Sequence, residues 1–387
     1  MTIEKQLIHI CNVIEEGRFG GPARRIVQVA KALKQHGVET IVVYPRYDSK
    51  ILSQEVFKAD ISSNALVITR LSKEKQILAK YIFCFFIEIY CLWRFFRKNT
   101  FDLIHVNGSY QFKAAIAARL SGNPVVWHLN DTYAPSILKK VFHCVAPICA
   151  DGFIIAGKRV FSYYIKGRSL AEKPVQEVHA PVDMTLFDPS NYSEHVRGKN
   201  EDVVIGTVSS VNPAKGLEYF VDTAIEVINR CPNVRFLIAG AILNSQKQYF
   251  EMIQRKLNNF SEAGKITFCG LIEDVPEFIS KLDICLFSSV TEASPTSIWE
   301  AMAMAKPIVT TDVGSVNQHL KNGVSGFVVP VRDSNALANR TLDLINQPDL
   351  RKKFGKNARR YAVKYLGIDA AAQKHKEIYK IILEKNI

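Results

Sequence analysis

Residues 283–312 read DICLFSSVTEASPTSIWEAMAMAKPIVTTD, and this stretch decides the fold. The apolar strand pattern DICLFSS ends in a short polar loop, a helical pattern follows, and the next apolar strand pattern is PIVTTD. Ser294 is predicted to cap the helix, and Pro295 suits its first position. Two continuous apolar strands separated by a helix indicate neighbours in a parallel sheet.

The same alternation of strands and helices runs along all 387 residues. Seven candidate strands precede a polar stretch at 188–202, and six follow it. The strands are continuous apolar runs, which is typical of parallel sheets covered by helices on both faces. The chain is also too long for one ordinary core. We therefore predict an α/β protein with two doubly wound, Rossmann-like domains that face each other across a cleft.

The domain boundaries are predicted from the polar stretch and from the last helical segment. Residues 1–185 form the first predicted domain and residues 186–367 the second. Residues 368–387 are helical with no strand after them, so we expect them to pack back onto the first domain.

Composition narrows the class of partner and the compartment. A formal net charge of +13 favours an anionic partner. The basic residues are scattered rather than grouped in a recognisable module, so nucleic acid is not expected. The eight cysteines include no C-x-x-C pair, which predicts reduced thiols of a cytoplasmic protein. The N-terminal segment lacks the pattern of a signal peptide.

Residues 75–98, KQILAKYIFCFFIEIYCLWRFFRK, are rich in aromatic and branched side chains. Lys80, Glu88 and Arg94 interrupt the apolar run, so a membrane-spanning helix is not expected. Two interpretations stay open: an amphipathic helix packed on the sheet, or a helix whose aromatic edge rests on an anionic membrane. The basic flanks that favour the second interpretation are Lys73, Lys75, Lys80, Arg94, Arg97 and Lys98.

Two glutamates flank the helix start in the opening stretch: Glu292 lies before it and Glu300 inside it. The backbone N–H groups of Thr296 and Ser297 lie at a helix N-terminus after a parallel strand, which suits a phosphate. Carboxylates repel phosphate but accept hydrogen bonds from sugar hydroxyls. A nucleotide-sugar has hydroxyls at both ends and a diphosphate between them. Acidic residues near a helix start also complement its dipole, so the spacing alone leaves that alternative open.

Three other loops offer candidate residues at strand ends. Lys215 stands in a strand-to-helix loop, where its ammonium group can neutralise a phosphate. Gly20 and Gly21 allow a close approach of backbone to a ligand, but their spacing is not that of a dinucleotide site. His128 ends a strand pattern, a place where a lone histidine is more often structural.

Taken together, these motifs resemble the retaining glycosyltransferases of family four, the GT-B group related to glycogen and sucrose-phosphate synthases. The Glu-x7-Glu hallmark of that family stands here as EASPTSIWEAMAMAKPIV at 292–309. Further matching motifs are the glycine pair at 20–21, the histidine at 128, A-P-V-D-x-x-x-F at 180–187, K-G at 215–216 and V-x-G-F-V-V-P at 324–330. The resemblance implies a GT-B fold with an acceptor-binding first domain and a nucleotide-sugar-binding second domain.

The resemblance also implies a role for each position. Glu300 would accept hydrogen bonds from the ribose and Glu292 from the donor sugar. Lys215 would bind the diphosphate together with helix-start amides, while the glycine pair would approach it from the first domain. The implied catalytic residues are His128, Lys215 and Glu292, and the implied donor-binding residues are Gly20, Gly21, Ser210, Lys215, Glu292, Ser294, Thr296, Ser297 and Glu300.

The chain departs from the family pattern at a few positions. Ser210 stands where the family usually has an arginine, and Arg24 or Arg25 are candidates to replace that charge. Ala293 and Ala305 replace two usual glycines. No D-x-D motif occurs, so neither a metal ion nor another cofactor is expected.

The leading hypothesis is a metal-independent retaining glycosyltransferase that uses a nucleotide-diphosphate-sugar. Its expected acceptor is a saccharide hydroxyl, on a lipid-linked glycan or polysaccharide precursor, with the protein peripheral on the inner face of the membrane. One alternative is a degenerate nucleotide-sugar-binding subunit of a glycosyltransferase complex, which Ser210 and Ala293 motivate. Another is a non-hydrolysing sugar-nucleotide epimerase with the same fold.

Overall fold

The computed structural model describes residues 7–72, 74–193 and 201–385. The chain divides into two compact units. Unit 1 comprises Met1–Ala180 and Ile368–Ile387, and unit 2 comprises Pro181–Gly367. The first boundary thus falls after Ala180 rather than after residue 185. Lys73, one of the basic residues flanking the aromatic segment, and residues 194–200 of the polar stretch lie outside the described residues.

Unit 1 contains a seven-stranded parallel sheet in the order β3-β2-β1-β4-β5-β6-β7. Its strands are β1 Ile8–Val13, β2 Val38–Pro45, β3 Ser63–Leu66, β4 Leu103–Asn107, β5 Val125–Leu129, β6 Gly152–Ile155 and β7 Val175–Glu177. The central strands β4 and β5 are buried at every position, as expected for strands covered on both faces.

Helices cover both faces of this sheet. They are α1 Gly21–Gln35, α2 Lys50–Lys58, α3 Lys75–Lys98, α4 Phe112–Ser121, α5 Ser136–Cys149, α6 Lys158–Tyr164 and α7 Arg168–Ala171. Helix α3 has the bounds of the aromatic segment seen in the sequence. Helix α4 ends at Gly122, whose φ of 83° is the left-handed conformation that favours glycine at this position.

The last helix of the chain also belongs to unit 1. This helix, α15, spans Ile368–Lys385 and buries one apolar stripe against the sheet. Its Ile378, Tyr379 and Ile382 share a core with Val126 and Ile154 of the central strands. Burial of these apolar side chains stabilises the packing of α15 on unit 1.

A fully buried ionic network joins α3, α4 and the end of β1. The Lys113 ammonium lies 2.6 Å from Glu88 Oε2 and 3.5 Å from Glu15 Oε2, and none of its side chain is exposed. Glu88 accepts a further hydrogen bond of 3.0 Å from the Thr69 backbone N–H. Burial raises the pKa of Glu15 to about 7, although the nearby Lys113 charge opposes that rise.

Unit 2 contains a six-stranded parallel sheet in the order β10-β9-β8-β11-β12-β13. Its strands are β8 Val203–Val208, β9 Val234–Ala239, β10 Ile266–Gly270, β11 Ile284–Phe287, β12 Ile308–Thr311 and β13 Phe327–Val329. Its helices are α8 Leu217–Arg230, α9 Lys247–Asn258, α10 Val275–Ser280, α11 Thr296–Ala303, α12 Val316–His319, α13 Ser334–Asn346 and α14 Pro348–Tyr365.

The prediction of two doubly wound parallel sheets is confirmed, with seven and six strands among the described residues. One strand prediction is wrong in its extent: the apolar run ALVITRL at 65–71 predicts a strand there, whereas β3 spans Ser63–Leu66. This strand pairs only with β2, so its extent follows that pairing rather than its own apolar run. In each sheet the strand order reverses once, between β1 and β4 and between β8 and β11. Ligands of open α/β sheets bind beyond the carboxyl ends of the strands at such a reversal.

Candidate active site

The loop after β8 is shaped by local capping and by one glycine. The Asn212 side chain accepts a hydrogen bond of 3.0 Å from the Ala214 backbone N–H and starts a short turn over Pro213–Lys215. Gly216 follows with a φ of 59°, and a Cβ there would collide with the carbonyl oxygen of Ser288. Only glycine fits this approach, which brings the Lys215 loop against the end of β11.

The loop after β11 carries Glu292, and the segment that follows β12 packs against it. Gly314, with a φ of 52°, lies so close that a Cβ would meet the Ala293 carbonyl oxygen. The Ser315 backbone N–H donates to the same oxygen over 3.0 Å. The segment after β12 therefore fixes the backbone on the C-terminal side of Glu292.

Lys215 and Glu292 form an ion pair, although they are 77 positions apart in the chain. Glu292 also accepts a hydrogen bond of 3.3 Å from the Ser289 hydroxyl. The two side chains are partly exposed, 25% for Lys215 and 16% for Glu292, so a ligand can reach both. The pair lies where β8 and β11 adjoin, at the reversal of strand order. The two residues predicted to bind different parts of a donor thus neutralise each other.

The start of α11 differs in one detail from the prediction. The helix begins at Thr296 with Pro295 in the capping position, and no side chain caps it. The predicted cap, Ser294, instead accepts a hydrogen bond of 3.0 Å from the indole N–H of Trp299. Trp299 is fully buried, and a buried N–H donor without an acceptor costs about 1–3 kcal/mol of stability. The Ser294 hydroxyl avoids that cost by accepting from the indole N–H. The amides of Thr296 and Ser297 are left without a side-chain cap.

Two other predicted residues of unit 2 lie close to these loops. Glu300 is on α11 and is 8% exposed. Ser210, at the position of the usual arginine, accepts a hydrogen bond of 3.0 Å from the Asn212 side chain. Ser210 therefore supports the loop that carries Lys215 but adds no charge to it.

In unit 1, Gly20 and Gly21 lie at the start of α1, beyond the carboxyl end of β1. Nothing lies within 4 Å of a Cβ built on either glycine, so the surrounding protein does not require glycine there. No side chain caps this helix end and its first turn has no acidic residue. The arrangement leaves room and amide donors for an anion.

Of the two arginines proposed to replace the missing charge, Arg24 is exposed and Arg25 is buried. Arg25 donates to His128 Nε2 over 2.8 Å and to Asn107 Oδ1 over 2.7 Å. His128, at the end of β5, is fully buried, and its Nδ1 lies 3.2 Å from His105 Nε2. Both ring nitrogens of His128 therefore contact protein groups.

His105, His128 and His375 bring nitrogen atoms within 4.8 Å of one another, a spacing that a metal site requires. The ring nitrogens of His105 and His128 have other partners, however. Arg25 and the His128–His105 contact occupy one nitrogen of His105 and both of His128. The Nδ1–H of His375 donates to the Ala371 carbonyl oxygen over 2.7 Å. We therefore assign this cluster to hydrogen bonding.

The sequence patterns gave no sign of three members of this cluster: Asn107, His105 and Tyr379. Tyr379 Oη lies 2.7 Å from His105 Nδ1 and comes from the last helix of the chain. Asn107 is the last residue of β4 and lies beside His128, the last but one residue of β5.

Comparison with known families decides the identity of the chain. Residues 19–185 match the family described as Glycosyltransferase Family 4, and residues 202–347 match Glycosyl transferases group 1. The two matches together cover most of the chain. The protein is a group 1, family-four glycosyltransferase.

Curated relatives of this glycosyltransferase are distant in sequence. A UDP-Gal:alpha-D-GlcNAc-diphosphoundecaprenol alpha-1,3-galactosyltransferase from Escherichia coli is 23% identical over 306 residues, which cover 74% of this chain and 77% of the relative. The putative glycosyltransferase EpsD from Bacillus subtilis is 24% identical over 212 residues, 52% of this chain and 54% of the relative. The match to EpsD thus spans about half the length of that relative.

Solved structures show that the glycosyltransferase has the predicted GT-B fold. A glycosyltransferase from Rickettsia africae superposes with a TM-score of 0.83 at 20% identity. The superposition covers 98% of this chain and 100% of the Rickettsia chain. Anabaena HepE in complex with UDP superposes with a TM-score of 0.79 at 20% identity, covering 96% of this chain and 99% of HepE.

Proposed function

We propose that this glycosyltransferase moves a sugar from a nucleoside-diphosphate sugar to a hydroxyl of a saccharide acceptor, with retention of configuration and without a metal ion. The observation that carries the proposal is the contact between Lys215 and Glu292 where β8 and β11 adjoin. Donor binding replaces this ion pair. The ammonium group of Lys215 then faces the diphosphate, and the Glu292 carboxylate accepts hydrogen bonds from sugar hydroxyls.

Electrostatic stabilisation supplies the chemistry in this proposal. Negative charge builds on the diphosphate oxygen as the bond to the sugar breaks. The Lys215 ammonium and the uncapped amides of Thr296 and Ser297 are donors that can stabilise this charge. Glu300, on the same helix, would accept from the ribose.

Two comparisons support the choice of substrates. HepE was crystallised with UDP, with UDP and glucose, and with UDP-glucose, which favours a uridine nucleotide. The galactosyltransferase from Escherichia coli has a diphosphoundecaprenol-linked acceptor in its name, which favours a lipid-linked glycan acceptor here.

The first test is ligand-induced stabilisation. UDP at about one hundred times its Kd should stabilise the folded protein by about 2.7 kcal/mol, because it binds the native state alone. Thermal melts with UDP, GDP and ADP will identify the nucleotide, and Glu292→Gln should reduce the extra shift that a UDP-sugar gives over UDP. If none of the three nucleotides raises the melting temperature, the proposal is wrong.

Turnover separates the enzyme from the degenerate binding subunit. Transfer from UDP-sugars should persist in EDTA, and proton NMR of the first-formed product should show the anomeric configuration of the donor. A protein that binds UDP but never turns over would support the alternative, and Ser210→Arg would then be expected to introduce activity. A product with inverted configuration would contradict the retaining mechanism.

We further propose that unit 1 rests on an anionic membrane through α3. Its outward face carries Phe83 and Phe86, which are 84% and 80% exposed. The single carboxylate of this helix, Glu88, points inward to Lys113, so every exposed charge on α3 is positive. These cations are Lys75, Lys80, Arg94, Arg97 and Lys98. By length and composition α3 is also the one helix among the described residues that could cross a membrane.

This contact predicts vesicle binding that depends on two phenylalanines. The double variant Phe83→Ser and Phe86→Ser should bind phosphatidylglycerol-containing vesicles at least about tenfold more weakly, since each lost aromatic ring removes about 1.5–3 kcal/mol of burial. Phe57→Ser on α2, where the ring is 85% exposed, is the matched control and should bind normally. Equal sedimentation of all three proteins, or equal binding to neutral vesicles, would contradict the membrane contact.

A further inference from the structure

A chain of four buried side chains crosses unit 1 from α1 to α15. Arg25 contacts His128, His128 contacts His105, and His105 contacts Tyr379, over 2.8, 3.2 and 2.7 Å. All four are at least nine-tenths buried; Arg25 is the most exposed, at 7%. Tyr379 belongs to the last helix, whereas Arg25 lies in the second turn after Gly20 and Gly21.

The Arg25 guanidinium determines which atom donates and which accepts in each hydrogen bond between these four side chains. Because arginine has donors and no acceptor, His128 Nε2 must accept. Burial, and then the adjacent Arg25 charge, lower the pKa of His128, so the ring stays neutral and carries its proton on Nδ1. That proton is donated to His105 Nε2, and His105 in turn donates from Nδ1 to the Tyr379 oxygen.

The partners of Arg25 hold its orientation without cancelling its charge. His128 Nε2 and Asn107 Oδ1 are both neutral acceptors. Asn107 is oriented in turn, since its amide N–H donates to Asn12 and, over 3.3 Å, to the Val13 carbonyl oxygen. Among the described residues, no carboxylate lies within 4.0 Å of the Arg25 guanidinium. Burial lowers the pKa of Arg25 to about 10, so the group remains charged at neutral pH.

An arginine buried without a counter-charge is costly and rare. This one lies at the ends of β1, β4 and β5, where the strand order of the sheet reverses and ligands of such sheets bind. Two of its N–H groups are used by His128 and Asn107, so donors remain for another partner.

We propose that Arg25 binds a phosphate group of a substrate, and that His128, Asn107, His105 and Tyr379 are positioning residues that hold its guanidinium. This inference rests on the proposed function and adds a residue to it. Bidentate recognition of phosphate is the chemistry to which a guanidinium group is suited. The phosphate comes either from the donor diphosphate or from a phosphate-linked acceptor. In this role His128 acts on the phosphate through Arg25.

Binding assays on the full chain distinguish the two phosphate sources. UDP represents the donor and geranyl phosphate represents a lipid-linked acceptor. Arg25→Met should weaken one of them by about ten- to a hundred-fold, the loss expected for a charge-assisted hydrogen bond. Arg25→Lys, which keeps the charge but cannot bind a phosphate through two parallel N–H groups, should retain only part of the affinity. Loss of UDP binding assigns Arg25 to the donor, and loss of geranyl phosphate binding assigns it to the acceptor.

The stability of the ligand-free variant is the second measurement. Because no carboxylate in the described part of the chain pairs with Arg25, Arg25→Met without ligand should melt at or above the wild-type temperature. If Arg25→Met keeps full affinity for both ligands while Lys215→Ala loses UDP, the inference is overturned and the proposed function stands. If Arg25→Met affects neither ligand and Lys215→Ala does not affect UDP, both the inference and the proposed function fail.

A variant of His128 provides the same test if Arg25→Met does not fold. Gln can replace His128 as an acceptor for the guanidinium, so His128→Gln should retain affinity for the ligand. His128→Leu leaves the guanidinium without that acceptor and should weaken the same ligand. Equal affinity in the two variants would overturn the positioning role.

Discussion

Replacing Lys215 with alanine is expected to lower the rate constant kcat for sugar transfer by about 10²–10³-fold, the loss typical of removing one preorganised donor to a developing negative charge. Ser210, at the position of the usual arginine, adds no cation to this loop, so little in the loop can compensate. The partner left behind, Glu292, would also repel the diphosphate. Initial rates with a UDP-sugar, together with the Kd for UDP, measure the effect.

The matched control for this variant is Lys353→Ala, an exposed lysine on α14. It has the same change of charge and should keep wild-type kinetics. Lys215→Arg should retain part of the activity, because the charge remains while the geometry of the donors changes. Wild-type turnover by Lys215→Ala would remove this lysine from the site and, with it, the basis of the proposed function.

Replacing Lys113 with methionine is expected to destabilise unit 1 by about 3–5 kcal/mol, since it leaves Glu88 and Glu15 buried without their cation. For a unit of this size, that loss corresponds to a fall in the melting temperature of about 6–20 °C. Burial already raises the pKa of Glu15 to about 7, so this carboxylate would readily take up a proton and the deficit should shrink at acidic pH. Calorimetry of the full chain would show the lowered transition.

A double variant tests whether the uncompensated charge is the cause. Lys113→Met combined with Glu88→Gln removes one charge of each sign and keeps an acceptor for the Thr69 amide. It should recover a large part of the lost stability, although Glu88→Gln alone should be destabilising. A double variant as unstable as Lys113→Met would indicate that lost packing, rather than charge, determines the effect.

The fold could be predicted from the sequence because its signals are local. Continuous apolar runs between helical patterns predicted both sheets with the observed number of strands, and the motif at 292–309 indicated the family. The errors are equally informative. Serine is a residue type that often caps helices, but the Ser294 hydroxyl accepts a hydrogen bond from the Trp299 indole instead. The indole lies beside Ser294 only when the helix has formed. Strand β3 was displaced because its extent is set by its partner β2.

The candidate site could be predicted as a set of residues but not as an arrangement. Lys215, Glu292, Thr296 and Ser297 were identified from their places after strands. Nothing in the sequence showed that Lys215 and Glu292 pair with each other, because that contact joins two separate loops. Likewise, Arg25 could be suggested as a replacement cation, but its burial among neutral acceptors could not.

The sequence by itself determined the class of fold, the family and the loops that hold the candidate residues. Each of these depends on short stretches of sequence, because apolar periodicity and turn residues are patterns that extend over only a few positions. The tertiary structure alone decided which charges are paired: Lys215 with Glu292, Lys113 with Glu88 and Glu15, and Arg25 with no carboxylate of the described residues. The physical reason is that the energy of a charge depends on the solvent and partners around it, and these are set only when distant segments pack together.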